Sequence, residues 1–267
     1  MANSQHLALL REGVETWNQW RKEWAEEERE NSLQAAGNGY IKKRYPHHVD
    51  LSDADLEDCD LSLADLSGAN LRGARLVHAN LLGADLRQAD LYRAILNIAK
   101  LEYADLRESY LVEASVADAN LWRADLRNAN LSWASFFHAF LVEADLREAD
   151  LTQTNFTWGV LSGAKVQGAY SNHTILGDVD LSSVNGLEEL HCSRPPLIDL
   201  YTLARSSGRL PESFLREAGI ESEIIPSLLA LFHSYGNDDS VWDRDLSPSS
   251  PWETKHRLQE PPQATVW

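Results

Sequence analysis

Residues 84–107 read ADLRQADLYRAILNIAKLEYADLR, and they contain the phrase that decides the fold. A small residue, usually Ala, precedes Asp or Asn, which precedes a large apolar residue, usually Leu, and two variable positions complete the phrase. From Leu51 to Leu181 the large apolar position occurs 27 times at intervals of five residues, and 22 of these residues are Leu. The small position two residues earlier is Ala in 20 of the 27 phrases. One pattern therefore governs residues 49–184.

A repeat of five residues fits neither the 3.6-residue period of an α-helix nor the two-residue alternation of a flat strand. Within one phrase, however, Ala and Leu are two residues apart, so in an extended segment they point to the same side. The Asp or Asn between them points outward, and the two variable positions carry the chain around a corner. Repetition of this unit predicts a solenoid with Leu on its axis, in which each coil buries its Leu residues only by stacking on its neighbours.

A longer period gives the number of phrases in one coil. Ala-Asp-Leu-Arg recurs at 84–87, 104–107, 124–127 and 144–147, always 20 residues apart, so four phrases complete one coil. Coils ~4.8 Å apart would then stack a column of acids beside a column of bases. We interpret this structural charge ladder as scaffolding in which Arg offsets the repulsion among Asp, and a charged docking face is the alternative. The ladder consists of Asp65, Asp85, Asp105, Asp125 and Asp145 with Arg87, Arg107, Arg127 and Arg147.

The run of Ala-(Asp/Asn)-Leu-x-x phrases resembles the pentapeptide-repeat family. The resemblance implies an all-β solenoid core in the form of a right-handed, four-sided (quadrilateral) β-helix, which agrees with the 20-residue period. It does not settle the function, because few members have a known role. Some members that protect against quinolone-like poisons resemble duplex DNA in shape and charge, and they bind DNA gyrase.

Composition limits the class of protein. The 267 residues carry a net charge of −17, and residues 49–185 hold 21 acidic and ten basic residues, a net charge of −11. An acidic rod argues against direct binding of nucleic acid. Cys59 and Cys192 have no spaced partners, so neither a disulfide framework nor a zinc site is predicted, which suits a reducing cytoplasm. No signal-peptide plan and no apolar run of ~20 residues occurs, so we expect a cytoplasmic protein without a membrane span. Residues 6–18 resemble the leader found on many bacterial pentapeptide-repeat proteins, and this resemblance implies a bacterial source.

The segments before the repeats have different patterns. Residues 1–30 contain apolar residues at helical spacing, which predicts one amphipathic helix over 5–30 that caps the open first coil. Residues 31–48 contain two Gly and a Pro, and they predict a linker.

The segments after the repeats divide in two. Residues 185–235 predict a small helical domain, with helices over 197–204, 212–218 and 224–232. Part of this domain resembles a module that follows pentapeptide repeats in some bacterial proteins and leads there into a TIR domain. Residues 236–267 are rich in Asp, Ser and Pro, and they predict a disordered tail. No TIR domain fits into this tail, so we expect no enzymatic activity inherited from one.

Large apolar residues at outward positions form the candidate partner-binding surface. Leu82 and Val160 fall on one predicted face with Tyr103, Trp122, Phe140 and Val142, and Val112 falls on the opposite face with Tyr92, Tyr110 and Trp133. The outside of a soluble rod seldom carries this many large apolar groups uncovered. We expect the terminal segments, a second subunit in a homodimer or another protein to cover them.

No catalytic constellation, cofactor motif or metal-ligand spacing stands out, so the sequence favours a non-enzyme without cofactor. The first hypothesis for the function is a cytoplasmic scaffold that binds a protein partner or itself. The second is a DNA mimic that binds DNA gyrase or another topoisomerase and confers antibiotic resistance. The third is a regulatory partner or remnant of a TIR-type effector.

Overall fold

The computed structural model describes residues 2–36 and 49–235, and the repeats in it form a continuous stack of coils. Parallel bridges join each outward residue to the residue 20 positions later, from Asp50 with Asn70 to Lys165 with Asn185. The backbone N–H of each central Leu donates to the next coil, as from Leu51 to the carbonyl of Asn70 (2.8 Å). The prediction of a β-helix solenoid with 20-residue coils is confirmed.

The corner of each phrase explains the preference for Asp or Asn. Ala54 N–H donates to the carbonyl of Leu51 (3.1 Å), and Asp53 between them has a φ of +55°, which is a type II turn. The carboxylate of Asp50 accepts the N–H of Ser52 (3.0 Å), so it pairs a backbone donor that the corner leaves free. Glu is one methylene longer and does not fit this turn as well as Asp or Asn.

The core follows the axis of the coils. The central residues from Leu51 to Leu146 are at most 1% exposed, as are nearly all of the Ala residues that precede them. Phe136 and Phe156 stack on the axis with their ring centroids 5.4 Å apart. Where Ser171 replaces Leu, its hydroxyl donates to Thr174 (2.9 Å), which in turn donates to the carbonyl of Leu151 (2.8 Å). The polar residues on the axis are therefore paired.

Two helices precede the coils instead of the single helix that the sequence predicts over 5–30. Helix α1 spans Ser4–Arg11 and helix α2 spans Val14–Ala36, and Gly13 separates them with a φ of +116°. The apolar pattern runs through this break, so periodicity does not reveal it. Helix α2 also extends into the predicted 31–48 linker, of which residues 37–48 lie outside the described residues.

Side chains of α1 and α2 pair the exposed backbone edge of the first coil. Trp17 is fully buried, and its Nε1 donates to the carbonyl of Asp65 (2.8 Å). Asn18 donates to the carbonyl of Leu63 (2.9 Å) and accepts the N–H of Asp65 (2.8 Å). His6 Nδ1 accepts the N–H of Asp50 (3.1 Å). These bonds replace those that a preceding coil would make.

Coil stacking extends beyond Val184, where the sequence analysis ends the solenoid. Strand β1 (Tyr170–Asn172) and strand β2 (Ile175–Leu176) are followed by a 3-10 turn at Leu187–Glu189. Strand β3 (His191–Arg194) then pairs in parallel with β1, and strand β4 (Leu197–Ile198) pairs in parallel with β2. The prediction of a helix from residue 197 is therefore wrong at its start, because residues 197–198 form a strand.

Three short helices lie over the last coil: α3 (Leu200–Arg205), α4 (Glu212–Glu217) and α5 (Ile225–Tyr235). The hydroxyl of Thr202 accepts the N–H of Val179 (3.2 Å) and donates to the carbonyl of Leu176 (2.6 Å). Ser206 accepts the N–H of Leu181 (3.1 Å), so side chains again replace the missing coil. The predicted tail, 236–267, lies outside the described residues. Within the described ranges, no helix is long and apolar enough to cross a membrane.

Candidate interaction surface

The Asp and Arg columns of the charge ladder lie in contact. Arg107 Nε donates to Asp105 Oδ1 (2.8 Å) and its Nη2 donates to Oδ2 (2.6 Å), which makes a bidentate pair. The same Nε lies 3.6 Å from Oδ2 of Asp125 in the next coil. The pairing repeats in the other three phrases, at Asp85 with Arg87, Asp125 with Arg127, and Asp145 with Arg147. Most of the charge on this face is therefore compensated locally.

Asp65, the first acid of the ladder, has Ser67 where later phrases have Arg, and α2 supplies a base. Arg21 Nη2 lies 3.3 Å from Asp65 Oδ1 and donates to the carbonyl of Ser67 (2.7 Å). Burial alone would raise the pKa of the Asp65 carboxyl, but hydrogen bonds from Ser67 and Arg21 outweigh burial and hold the pKa below its ordinary value. The same balance of burial against hydrogen bonds from Arg lowers the pKa of Asp105 and Asp145.

An apolar stripe crosses five successive coils on the neighbouring face. We define the apolar stripe as Leu63, Leu82, Tyr103, Trp122, Phe140 and Val142. Bridges from Asp60 through Asn80, Lys100 and Asn120 to Phe140 set these residues on consecutive coils. At ~4.8 Å per coil the stripe is ~19 Å long.

Contacts join neighbouring coils at two places along the apolar stripe. A Cβ on Gly83 would lie 2.8 Å from Cδ2 of Leu63, so Leu63 extends over the next coil because that position is Gly. The rings of Tyr103 and Trp122 meet edge to face, with centroids 5.1 Å apart. Leu63 is 69% exposed and Tyr103 is 42% exposed. Asn18 of α2 bonds the carbonyl of Leu63 at the first coil, and the Leu63 side chain stays exposed beside that contact.

The opposite face carries Tyr92, Tyr110 and Trp133, the other aromatic residues of the candidate partner-binding surface, in a more polar setting. Arg72 and Arg93 lie over the ring of Tyr92, with their guanidinium carbons 4.2 and 5.0 Å from its centroid. Arg93 also pairs with Glu113 (2.7 Å). The ring centroids of Tyr110 and Tyr92 are 6.5 Å apart, and Trp133 is 58% exposed. Two guanidinium groups therefore cover the ring of Tyr92 on this side.

Three residues in these surfaces escaped the sequence analysis. Leu63 does not belong to the predicted candidate surface, although the 20-residue register aligns it with Tyr103. Arg21 and Asn18 lie on α2, and their contacts with the first coil leave no periodic signal in the sequence.

A concave region lies between α2 and the charge ladder, lined by Arg21, Trp24, Arg87 and Arg107. Each of these three Arg residues has a carboxylate partner, so the region offers no uncompensated cation. Among residues 2–36 and 49–235, no group of three or more His, Cys, Asp or Glu residues could hold a metal ion.

Comparison with protein families identifies the repeats. The family model for pentapeptide repeats matches eight copies, in overlapping segments that together span residues 47–168. A search of curated proteins gave no match.

Several solved structures are similar to parts of the chain. HetL, a pentapeptide-repeat protein involved in heterocyst differentiation regulation in the cyanobacterium Nostoc sp., is 33% identical over 54% of this chain and 65% of its own, with a TM-score of 0.31. A pentapeptide-repeat protein from the Arabidopsis thaliana thylakoid lumen is 34% identical over 38% of this chain and 66% of its own, with a TM-score of 0.22. The plasmid-mediated fluoroquinolone resistance protein QnrB1 is 22% identical over 61% of this chain and 84% of its own, with a TM-score of 0.21.

Proposed function

Because residues 47–168 of this chain belong to the pentapeptide-repeat family, we propose that the protein is a rigid, non-catalytic interaction module. Its coils form a right-handed, four-sided β-helix, and α1 and α2 form its N-terminal cap. It acts in the cytoplasm by binding a polypeptide, either another protein or a second copy of itself. The uncovered apolar stripe carries this proposal.

The apolar stripe has the composition of a protein-binding surface. Its centre is aromatic, with Tyr103 against Trp122, and aromatic residues dominate the energy of most interfaces. Arg123 lies over Trp122, 4.7 Å from the ring centroid, and pairs with Glu143 (2.7 Å), which supplies a polar rim. Each coil is held to the next by backbone hydrogen bonds, so the stripe is preorganised and loses little entropy on binding.

The apolar stripe fits this role better than the opposite face. Tyr92 already has two guanidinium groups against its ring, and a partner would have to displace or desolvate those charges. On the apolar stripe one guanidinium group, that of Arg123, lies over an aromatic ring, whereas two lie over the ring of Tyr92. We therefore assign the binding role to Tyr103, Trp122, Phe140 and Val142 ahead of Tyr92, Tyr110 and Trp133.

DNA mimicry is the second candidate, and the net charge of −11 over residues 49–185 favours it. A DNA mimic needs uncompensated negative charge along its surface, whereas four Asp residues of the ladder are each bonded to Arg. The test is a supercoiling assay with DNA gyrase, with and without a topoisomerase poison. The interaction-module proposal predicts neither inhibition nor protection, and the mimicry proposal predicts at least one of them.

A regulatory role beside a TIR-type effector rests only on the resemblance of residues 195–235, and it stays a prediction. The neighbouring genes test it most quickly.

The experiment that tests the main proposal uses two matched substitutions in the full chain. Tyr103 and Trp133 occupy equivalent corner positions with φ values of +58° and +64°, and both are exposed. Asn tolerates this backbone conformation, so Tyr103→Asn and Trp133→Asn each remove a ring without adding strain. Affinity capture from the native cells should lose partners with Tyr103→Asn and keep them with Trp133→Asn. Equal capture by both variants would count against the assigned face.

A further inference from the structure

We propose that residues 236–267 of the same chain bind the apolar stripe and cover it in the isolated protein. This inference rests on the proposed function, because it names the first polypeptide that the stripe binds. It implies that another partner must displace this segment before it can bind.

The chain that leads into α5 meets the coils at the end of the face that carries the apolar stripe. Ser206 accepts the N–H of Leu181 (3.1 Å) in the phrase 180–184. That phrase stacks above 160–164, where Gly163 N–H donates to Ser183 Oγ (3.4 Å), and these phrases continue the face that carries the apolar stripe. Ser206 therefore lies at the end of the stripe's own face.

Helix α5 packs close to that point. A Cβ on Gly208 would lie 2.5 Å from the carbonyl oxygen of Leu229 and 3.1 Å from the amide nitrogen of His233. The last turns of α5 are thus directly against the chain two residues beyond Ser206. The helix ends at Tyr235, so the segment that follows it starts at the C-terminal end of the rod, close to the face that carries the apolar stripe.

Residues 236–267 are long enough to reach the apolar stripe. Phe140 lies two coils below the phrase at 180, or ~10 Å, and the α3 layer adds ~10 Å. Trp242 is seven residues beyond Tyr235, and seven extended residues span up to ~25 Å. Trp252 is 17 residues beyond Tyr235 and reaches up to ~60 Å, which exceeds the ~40 Å to Leu63. Both tryptophans can therefore reach the stripe.

Residues 236–267 carry large apolar side chains that suit the apolar stripe. Trp242, Leu246, Trp252 and Leu258 are separated by polar stretches of three to five residues, and the middle stretch consists of Ser and Pro. An extended peptide of this kind can place separate large side chains along a stripe while its backbone stays solvated. The exposed edges of Tyr103 and Trp122 offer aromatic partners to the two indoles.

The structure provides an internal control for the test. Tyr103 on the apolar stripe is 42% exposed, and Tyr110 on the opposite face is 41% exposed. Oxidative footprinting of the full chain should modify them at similar rates if residues 236–267 leave both uncovered. We expect Tyr103 to be modified several-fold more slowly than Tyr110, at low and at high protein concentration alike. In the full chain with Trp242→Ala and Trp252→Ala, the two rates should become similar.

The other outcomes separate failure of this inference from failure of the proposed function. Similar rates in the unaltered chain overturn the inference, and loss of partner capture with Tyr103→Asn would still support the proposed function. Protection that grows with protein concentration and persists in the double variant also overturns it, because a second copy then covers the stripe. Protection that is independent of concentration and insensitive to the double variant overturns it as well, because residues other than these tryptophans then cover Tyr103.

Discussion

Asn18→Ala should expose the first coil of the solenoid. Asn18 is half-buried on α2 and makes two hydrogen bonds to the backbone edge of that coil. Its Nδ2 donates to the carbonyl of Leu63 (2.9 Å), and its Oδ1 accepts the N–H of Asp65 (2.8 Å). Within residues 2–36 and 49–235 no preceding coil pairs these groups, so Ala at position 18 leaves one donor and one acceptor to water.

The magnitude follows from these two bonds. Each hydrogen bond contributes about 0.5–1.5 kcal/mol net, so the pair contributes about 1–3 kcal/mol. Water can reach part of this half-buried site and recover some of that energy, so we expect a loss of about 1–2 kcal/mol. A loss of this size raises the population of the open form, in which α2 is detached from the first coil, by about 5–30-fold.

Native-state hydrogen exchange of the Asp65 amide measures this opening directly. The amide should exchange about 5–30-fold faster in Asn18→Ala, whereas the Asp125 amide, bonded to Ala104 in mid-solenoid (3.0 Å), should keep its rate. Gln19→Ala is the matched control, because Gln19 is exposed and bonds Glu23 on the same helix (2.6 Å). If Asn18→Ala and Gln19→Ala give the same Asp65 exchange rate, α2 does not hold the edge of the first coil.

Three further predictions concern the stability of the coils, each measured by urea unfolding. Phe136→Ala should cost about 3–5 kcal/mol, because Phe136 is fully buried on the axis; a cost below 1 kcal/mol would mean that the axis is not packed. Gly68→Ala should cost about 1 kcal/mol from backbone strain alone, because φ is +63° and a Cβ there meets nothing within 4 Å; a gain in stability would contradict the turn geometry. Asp105 and Asp145 have a lowered pKa in the folded protein, so their contribution to the free energy of unfolding is complete above pH 3.8 and is lost as the pH falls through the folded pKa. Asp105→Asn should therefore weaken the loss of stability in acid, and an unchanged dependence of stability on pH would contradict the ladder pairs.

The sequence predicts the interior of the solenoid well, because one rule repeats there. The five-residue and 20-residue periods place Leu86 on the axis and Asp85 below Asp105, as the bridges between coils have it. The two periods do not reveal that Asp50 accepts a backbone N–H at the corner, because that hydrogen bond forms within a single phrase. The preference for Asp and Asn over Glu was the available signal.

The ends are less predictable, because there the repeat stops and tertiary contacts decide. Leu197 and Ile198 begin an apolar run that fits a helix or a strand equally well, and pairing with β2 makes them a strand. Gly13 breaks the first helix although the apolar pattern continues across it. Trp17 follows the apolar pattern, but its bond to the carbonyl of Asp65 depends on where the first coil ends.

The sequence predicts the candidate surface in part. The 20-residue register places Tyr103 beside Trp122 from sequence alone, and their rings meet at 5.1 Å. The register cannot rank the two aromatic faces, because the difference depends on where the Arg side chains lie. Arg72 and Arg93 both turn onto Tyr92, which only coordinates reveal.

The central claim is that a polypeptide binds the apolar stripe, and site-specific photo-crosslinking tests it most directly. A benzophenone amino acid replaces Tyr103 in one full-length variant and Trp133 in the other, and both are irradiated in the native cells. We predict a covalent product with a polypeptide, either from the same chain or from another protein, at position 103 and little or none at position 133. Products of equal yield from both positions, or from position 133 alone, would contradict the assignment of the binding surface.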